Sequence, residues 1–350
     1  MNLRSSRGPT LLDVAREANC SPMTASRAIK TPEAVSPKLR QRVQEAIRLL
    51  NYVPNLNARA LAAVRTEVLG VIVPSLTQHI FTDVLRGIYD GVQGTALQVQ
   101  LGNSFYDDDE ETRLIAQLLR QKPTALIVSG VDQSDQAREL LEQANCPVVQ
   151  IMDITDDPID HVIGFDHKAA GKAITRHLVE EGYNRIAFVG GWLIRRSTGR
   201  LLGFKEALEE AGLLDESLIV SNPDVDSVER PGESTTVELG RRLASELLSR
   251  HARPDAIFCN NDVLALGVAY ECQARNIRIP EEMGVAGFND LDQMQSVHPP
   301  ISSLRTHRYE IGRKAVDTVL KLVDGATDIP RVVDVGFEVM KRQSTNRSQA

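Results

Sequence analysis

Thr10-Leu11-Leu12-Asp13-Val14-Ala15-Arg16-Glu17-Ala18-Asn19-Cys20-Ser21-Pro22-Met23-Thr24-Ala25-Ser26-Arg27 decides how the rest of this 350-residue chain is read. The Thr10 hydroxyl can accept a free amide of a first helical turn, and Asp13 stands at the reciprocal position of a capping box. A short helix through Ala18 then carries Leu11, Val14, Ala15 and Ala18 on one face. Asn19-Cys20 breaks the pattern. Ser21-Pro22 restarts it, with serine as cap and proline at the first helical position, where its missing amide costs nothing. A second helix is expected to about Ile29. Two short helices joined by a tight turn form a helix-turn-helix, whose second helix enters the DNA major groove and offers its first residues to base edges. Those residues are Pro22, Met23 and Thr24, with Arg27 one turn on.

Ser36-Pro37 repeats the cap-then-proline device, and Leu39, Val43, Ala46, Ile47 and Leu50 form a helical stripe that closes a three-helix core. After Tyr52-Val53-Pro54, Asn55 can cap one more short helix over 56–63, with Asn57, Arg59 and Leu61 outside any evident core. The run Thr10-Leu11-x-Asp13-Val14-Ala15, Ser21-x-x-Thr24-x-Ser26-Arg27, Asn51-Tyr52-x-Pro54-Asn55 resembles the lactose-repressor (LacI/GalR) family of transcriptional regulators. The resemblance implies that 55–66 is a hinge helix and linker, and that Leu61 takes the place of a leucine wedged into the minor groove. The expected DNA-binding set is Thr10, Ser21, Pro22, Met23, Thr24, Ser26, Arg27, Asn55, Arg59 and Leu61.

The formal net charge of −7 looks wrong for a DNA binder until it is divided along the chain. Residues 1–60 hold ten Lys and Arg against four Asp and Glu, and the remainder holds thirty against forty-three. The basic part is the part expected to meet phosphate, and an acidic remainder limits non-specific contact with nucleic acid. Cys20, Cys146, Cys259 and Cys272 are far apart, with no Cys-x-x-Cys pair and no histidine at metal spacing, so they read as reduced small apolar residues. No stretch has the apolar core of a signal peptide or the length of a membrane span, so a cytoplasmic protein without a membrane partner is expected.

From Val68 onward apolar runs alternate with helical patterns, the signature of parallel sheets covered by helices. Strands are expected at 68–73, 97–101, 125–129 and 148–151, then at 162–165, 185–190, 256–259 and 285–288. Intervening helices are expected at 81–95, 109–121, 134–145, 168–181, 200–211, 235–250 and 262–275. Two such series imply a cleft, and small ligands bind where the carboxyl ends of parallel strands meet a crevice. The arrangement resembles the two-lobed, periplasmic-binding-protein-like domain of the same family. That resemblance divides 67–345 into a first lobe of about 67–162 and 293–326 and a second of about 163–292 and 327–345. The chain would cross near 162–165, 289–293 and 325–330, with 309–324 returning to the first lobe. The complete fold class is thus an all-α helix-turn-helix domain over 1–54 followed by an α/β two-lobed domain.

Chemistry-bearing motifs of enzymes are missing. Gly87-x-x-x-Gly91 lies within a helical pattern and Gly190-Gly191 lacks the spacing of a pyrophosphate turn, so neither is read as a cofactor site. His161, His167, His177 and His251 have no nucleophile or acid at a diagnostic spacing. No cofactor, no metal and no catalytic residue is expected.

Six residues are candidates for a ligand. Asp262, in Asn260-Asn261-Asp262, is read as a helix cap or as a ligand contact. Asn289 stands where relatives often place Asp, and an amide does not repel an anion as a carboxylate would. Phe81 is read as stacking on a sugar face or as core packing, and Asp153 as a hydroxyl acceptor or a turn residue. The loop Trp192-Leu193-Ile194-Arg195-Arg196-Ser197-Thr198-Gly199-Arg200 holds the sole tryptophan and three arginines. Arg196 or Arg200 in a sugar cleft would match a carboxylate with its planar fork. Asp156-Asp157-Pro158-Ile159-Asp160, Gly164-Phe165 and Arg305-Thr306-x-Arg308-Tyr309-Glu310-x-Gly312 resemble the gluconate-type branch, which implies a sugar acid such as gluconate or 2-ketogluconate. The expectation is a repressor that binds a palindromic DNA operator as a homodimer, without the terminal apolar heptads of a tetramer. The alternative is a sugar-binding protein of a transport system.

Overall fold

The computed structural model describes residues 9–52, 66–221, 235–250 and 253–347, except the side chain of Lys30. The chain divides into two compact units, Met1–Thr66 and Glu67–Ala350.

In the first unit, α1 (Leu11–Glu17), α2 (Pro22–Lys30) and α3 (Pro37–Leu50) follow the expected caps. Thr10 Oγ1 accepts the Asp13 amide at 3.4 Å, and Asp13 Oδ2 accepts the Thr10 amide at 2.8 Å, which closes the capping box. Ser21 Oγ accepts the Thr24 amide at 3.1 Å and Ser36 Oγ that of Leu39 at 3.4 Å. Asn19 takes a left-handed φ of 48° between α1 and α2. Arg42 of α3 reaches back to donate to the Ala18 and Asn19 carbonyls, so the third helix holds the turn of the first two. Val14, Ala18, Ala28, Val43 and Ala46 form the core, with Leu39, Ile47 and Leu50 packed against it. The expected hinge helix over 56–63, with Asn55, Arg59 and Leu61, lies outside the described residues.

The second unit runs β1 (Val68–Val73), α4 (His79–Val92), β2 (Gln98–Asn103), α5 (Asp108–Arg120), β3 (Ala125–Ser129), α6 (Asp135–Glu142), β4 (Val148–Ile151) and β5 (His161–Gly164). It continues through α7 (His167–Glu180), β6 (Ile186–Gly190), α8 (Arg195–Ala211), β7 (Ile219–Ser221), α9 (Val237–Leu248), β8 (Ala256–Cys259), α10 (Asp262–Ala274) and β9 (Gly284–Asn289). The last elements are α11 (Gln293–Ser296), β10 (Ser302–Thr306), α12 (Arg308–Val323), β11 (Val332–Asp334) and β12 (Phe337–Met340). One six-stranded sheet has the order β11-β5-β4-β3-β1-β2, and the other β12-β10-β9-β8-β6-β7. All pairings are parallel except β10 with β12.

Two passages between the sheets differ from expectation. β10 pairs in parallel with β9, Ser302 opposite Ala286, so the chain leaves the second sheet after Thr306 rather than near 289–293. β11 pairs with β5, Val332 opposite Val162, which moves the third passage from 325–330 to beyond Asp334. The cause is a strand that reads as polar. Ser302 and Ser303 are wholly buried, and their hydroxyls are satisfied by Thr345 and by Asp262, at 2.6 Å each.

α12 returns to the first sheet and packs along α4. Gly87 and Gly91 of the rejected cofactor motif make this approach possible. A Cβ at Gly87 would overlap the Tyr309 carbonyl, and one at Gly312 the Val84 carbonyl. Gly171 with Gly203 does the same for α7 and α8, and Gly240 with Gly267 for α9 and α10. Burial of residues such as Val71, Phe81, Ile127 and Phe188 fills the layers on the sheet faces, at about 1.5–3 kcal/mol for each such side chain. All four cysteines are free, and Cys146, Cys259 and Cys272 are buried.

Candidate functional site

The carboxyl ends of β1, β2, β6, β8 and β9 open onto a cavity of about 420 Å³ between the two sheets. Gln78, His79 and Tyr106 line it from the first lobe, and Arg196, Arg200, Asn260, Asp262 and Asn289 are among those lining it from the second. Two helices begin here without a side-chain cap: α4, preceded by Gln78, and α8, preceded by Ile194. Their first-turn amides and dipoles favour an anion in the cavity.

The arginines decide its electrostatics. Arg200 donates through Nη1 to the Asn260 carbonyl at 2.7 Å and through Nε to His167 Nδ1 at 3.3 Å, and its guanidinium lies 3.9 Å from the Phe288 ring centre. Arg196 Nη1 donates to Ser129 Oγ at 3.1 Å. Both arginines are 7 % exposed, and among the described residues neither has a carboxylate within ion-pair distance. Burial first, and then the neighbouring Arg196, pulls the Arg200 pKa down to about 9. Asp153 and Asp262 push it back only from beyond ion-pair distance, so a positive charge in such a place is costly and invites an anionic partner.

His167 completes the arrangement as a neutral ring. Its Nε2 faces the Met152 carbonyl at 2.9 Å and so carries the proton, leaving Nδ1 to accept from Arg200. Burial holds its pKa well below the ordinary value, and both arginines push the same way.

Asp262 is fully buried, and burial raises its pKa to about 7. It accepts from Ser303 Oγ at 2.6 Å and from the Leu291 amide at 2.7 Å. The cap of α10 is Asn261, which accepts the Leu264 amide at 3.0 Å, so Asp262 is not the cap that its sequence position suggested. Asn289 has a φ of 107°, and its carbonyl takes a hydrogen bond from Arg308, itself paired with Asp83 at 2.9 Å. Asparagine tolerates such backbone better than most residues.

Arg196, Arg200, Asp262 and Asn289 therefore share one cavity. Phe81 and Asp153 do not line it. The Phe81 ring is fully buried, 6.0 Å from the Arg196 guanidinium, and Asp153 pairs with Arg195 at 3.5 Å beside an adjoining cavity. Sequence reasoning missed Tyr106, whose hydroxyl donates to Gln78 Oε1 at 2.9 Å and whose ring meets the Trp192 ring edge-on at 5.5 Å. Consecutive left-handed residues, Phe105 at φ 55° and Tyr106 at φ 61°, turn it into place.

On the first unit, Ser21, Pro22, Met23 and Arg27 are exposed at the start of α2, Met23 to 73 %, while Thr24 and Ser26 are half-buried. Thr10 is exposed at the cap of α1. Residues 10–55 match the pattern of bacterial regulatory proteins of the lacI family, and residues 175–345 that of a periplasmic binding protein-like domain. The HTH-type transcriptional regulator GntR of Pseudomonas aeruginosa is 37 % identical over 344 residues, 98 % of each chain. The chain belongs to the LacI family. A LacI-family structure from Silicibacter pomeroyi superposes on this regulator with a TM-score of 0.88, at 31 % identity, over 97 % of this chain and all of the other. The lac repressor dimer bound to operator and the anti-inducer ONPF follows it at a TM-score of 0.81 and 25 % identity, over 97 % of this chain and 99 % of the other. This LacI-family member is a DNA-binding transcriptional regulator, not an enzyme. Among the described residues, no helix is long and apolar enough to cross a membrane and no acidic, histidine or cysteine cluster could hold a metal.

Proposed function

We propose that this regulator is a repressor, binds a palindromic operator as a dimer, and responds to a sugar acid, gluconate or 2-ketogluconate, held in the inter-lobe cleft. The observation that carries the reading is the buried pair Arg196 and Arg200, whose partners are all neutral. A carboxylate supplies the missing charge and can meet a guanidinium with two parallel hydrogen bonds. Asp262 and Asn289 then receive hydroxyls, one as acceptor and one as donor or acceptor. Phe81 and Asp153 act behind these residues rather than on the ligand. The dimer is supported by the lac repressor complex, which is itself a dimer on operator, and by the pairing of half-sites that helix-turn-helix proteins require. In this reading ligand and operator favour different states of one chain, so each alters the affinity for the other by the same factor.

On DNA, Thr10, Ser21 and Ser26 are assigned to the backbone, Pro22, Met23, Thr24 and Arg27 to the groove, and Asn55, Arg59 and Leu61 to the hinge. Gel-shift titration of the palindrome upstream of the regulator's own gene tests the whole. Binding should weaken steeply with salt and should shift on adding either acid. Absence of DNA binding with and without the acids would refute it. Met23→Ala should change the preferred base in each half-site by about tenfold, and a selection experiment that returns the unaltered site would remove Met23 from base readout. The transport alternative is not favoured, since the full-length relative is a regulator.

A further inference from the structure

The geometry points to Ser129 and Tyr106 as positioning residues that aim Arg196 at an acidic ligand, an inference that rests on the acid-site reading above. Arg196 is the second residue of α8 in the second lobe, yet its guanidinium is held by a hydroxyl of the first. Ser129, the last residue of β3 and 8 % exposed, accepts from Nη1 at 3.1 Å. The Tyr106 oxygen also lies near the Arg196 guanidinium, its O–H being given to Gln78 Oε1.

Two features separate this arrangement from ordinary packing. A guanidinium has five N–H groups, so one bond to Ser129 beside the neutral Tyr106 oxygen orients it and leaves donors free for a ligand. The two hydroxyls add no negative charge of their own, and Asp153 and Glu111 act on Arg196 only from beyond ion-pair distance. A carboxylate in place of either hydroxyl would compete with the ligand. Ser129 and Tyr106 therefore orient Arg196 without satisfying it, and because they belong to the other lobe, the aim of Arg196 depends on how the two lobes meet.

A double-mutant cycle on the full chain, read by titration calorimetry with D-gluconate and with 2-ketogluconate, tests the inference. Ser129→Ala alone should weaken binding about tenfold, the size expected when a hydrogen bond to a charged group is lost. Arg196→Ala should weaken it more, and adding Ser129→Ala to Arg196→Ala should cost nothing further. Ser129→Thr should restore binding, and Tyr106→Phe should behave as Ser129→Ala does. Thermal unfolding without ligand identifies a variant that is merely unstable, and for such a variant the threonine and phenylalanine replacements decide. Losses that add in the cycle would overturn the positioning role while leaving the acid site intact. Unchanged affinity in Arg196→Ala would overturn the acid site and this inference together.

Discussion

Arg200→Met is expected to lower the affinity for the sugar acid by about a hundredfold or more while leaving the thermal midpoint of the ligand-free chain unchanged or raised. Removal of one partner of a buried, hydrogen-bonded charge pair costs about 2–5 kcal/mol, which sets the loss of affinity. The stability half follows from the neighbours of Arg200. Asn260, His167 and Phe288 surround the Arg200 guanidinium, and none of them carries a negative charge. A base whose folded pKa is depressed destabilises the fold wherever it is charged, and regains that stability only as the pH climbs through the depressed value. For Arg200 that recovery begins at about 9, so at neutral pH the penalty is present in full. Methionine fills comparable length, packs on an aromatic ring and brings no charge. Against this stand the Asn260 and His167 acceptors left without a donor, at about 1–3 kcal/mol each. Calorimetry of binding and of unfolding reads both halves. A midpoint lowered by many degrees with acid binding retained would make Arg200 a structural residue and remove it from the site.

How far the sequence discloses such a site depends on how local its causes are. α1, α2 and α3 were legible because each begins with a side-chain cap, and α2 and α3 add a proline at the first helical position. That Arg196, Arg200, Asp262 and Asn289 line one cavity was legible because residues after strand ends of a parallel sheet gather at one edge. The cap of α10 went to Asn261 rather than Asp262, since both residue types cap well and composition cannot separate neighbours. Tyr106 was not legible, because its place depends on two successive left-handed residues that no propensity announces. β10 was hidden for a different reason. Serine is a surface residue more often than a core one, and the partners that satisfy Ser302 and Ser303 are distant in sequence.

Gly87→Ala is expected to destabilise the second unit by about 3 kcal/mol, lowering its thermal midpoint by about 6 °C or more. Local propensity points the other way, since alanine in a helix interior is favoured over glycine by about 0.5–1 kcal/mol. The sign of the result therefore tells which link dominates. A Cβ at Gly87 would run into the Tyr309 carbonyl and crowd the Arg313 amide and Gly312 Cα, all backbone of α12. Backbone cannot rotate aside as a flexible side chain can, so the two helices must separate and open a gap along Ile88, Ile311 and Ala315, all fully buried. Gly94→Ala is the matched control, because Gly94 has a φ of +79° but no atom within 4 Å of the added carbon. It should cost only the left-handed strain, about 1 kcal/mol. Gly312 faces Val84 across the same contact, so Gly312→Ala combined with Gly87→Ala should cost less than the two separate losses, as the first substitution has already parted the helices. Gly87→Ala as stable as the unaltered chain would show that α12 can move away from α4 freely. The packing of α12 would then be loose, and the return of the chain to the first lobe after Thr306 would rest on β11 pairing with β5 instead.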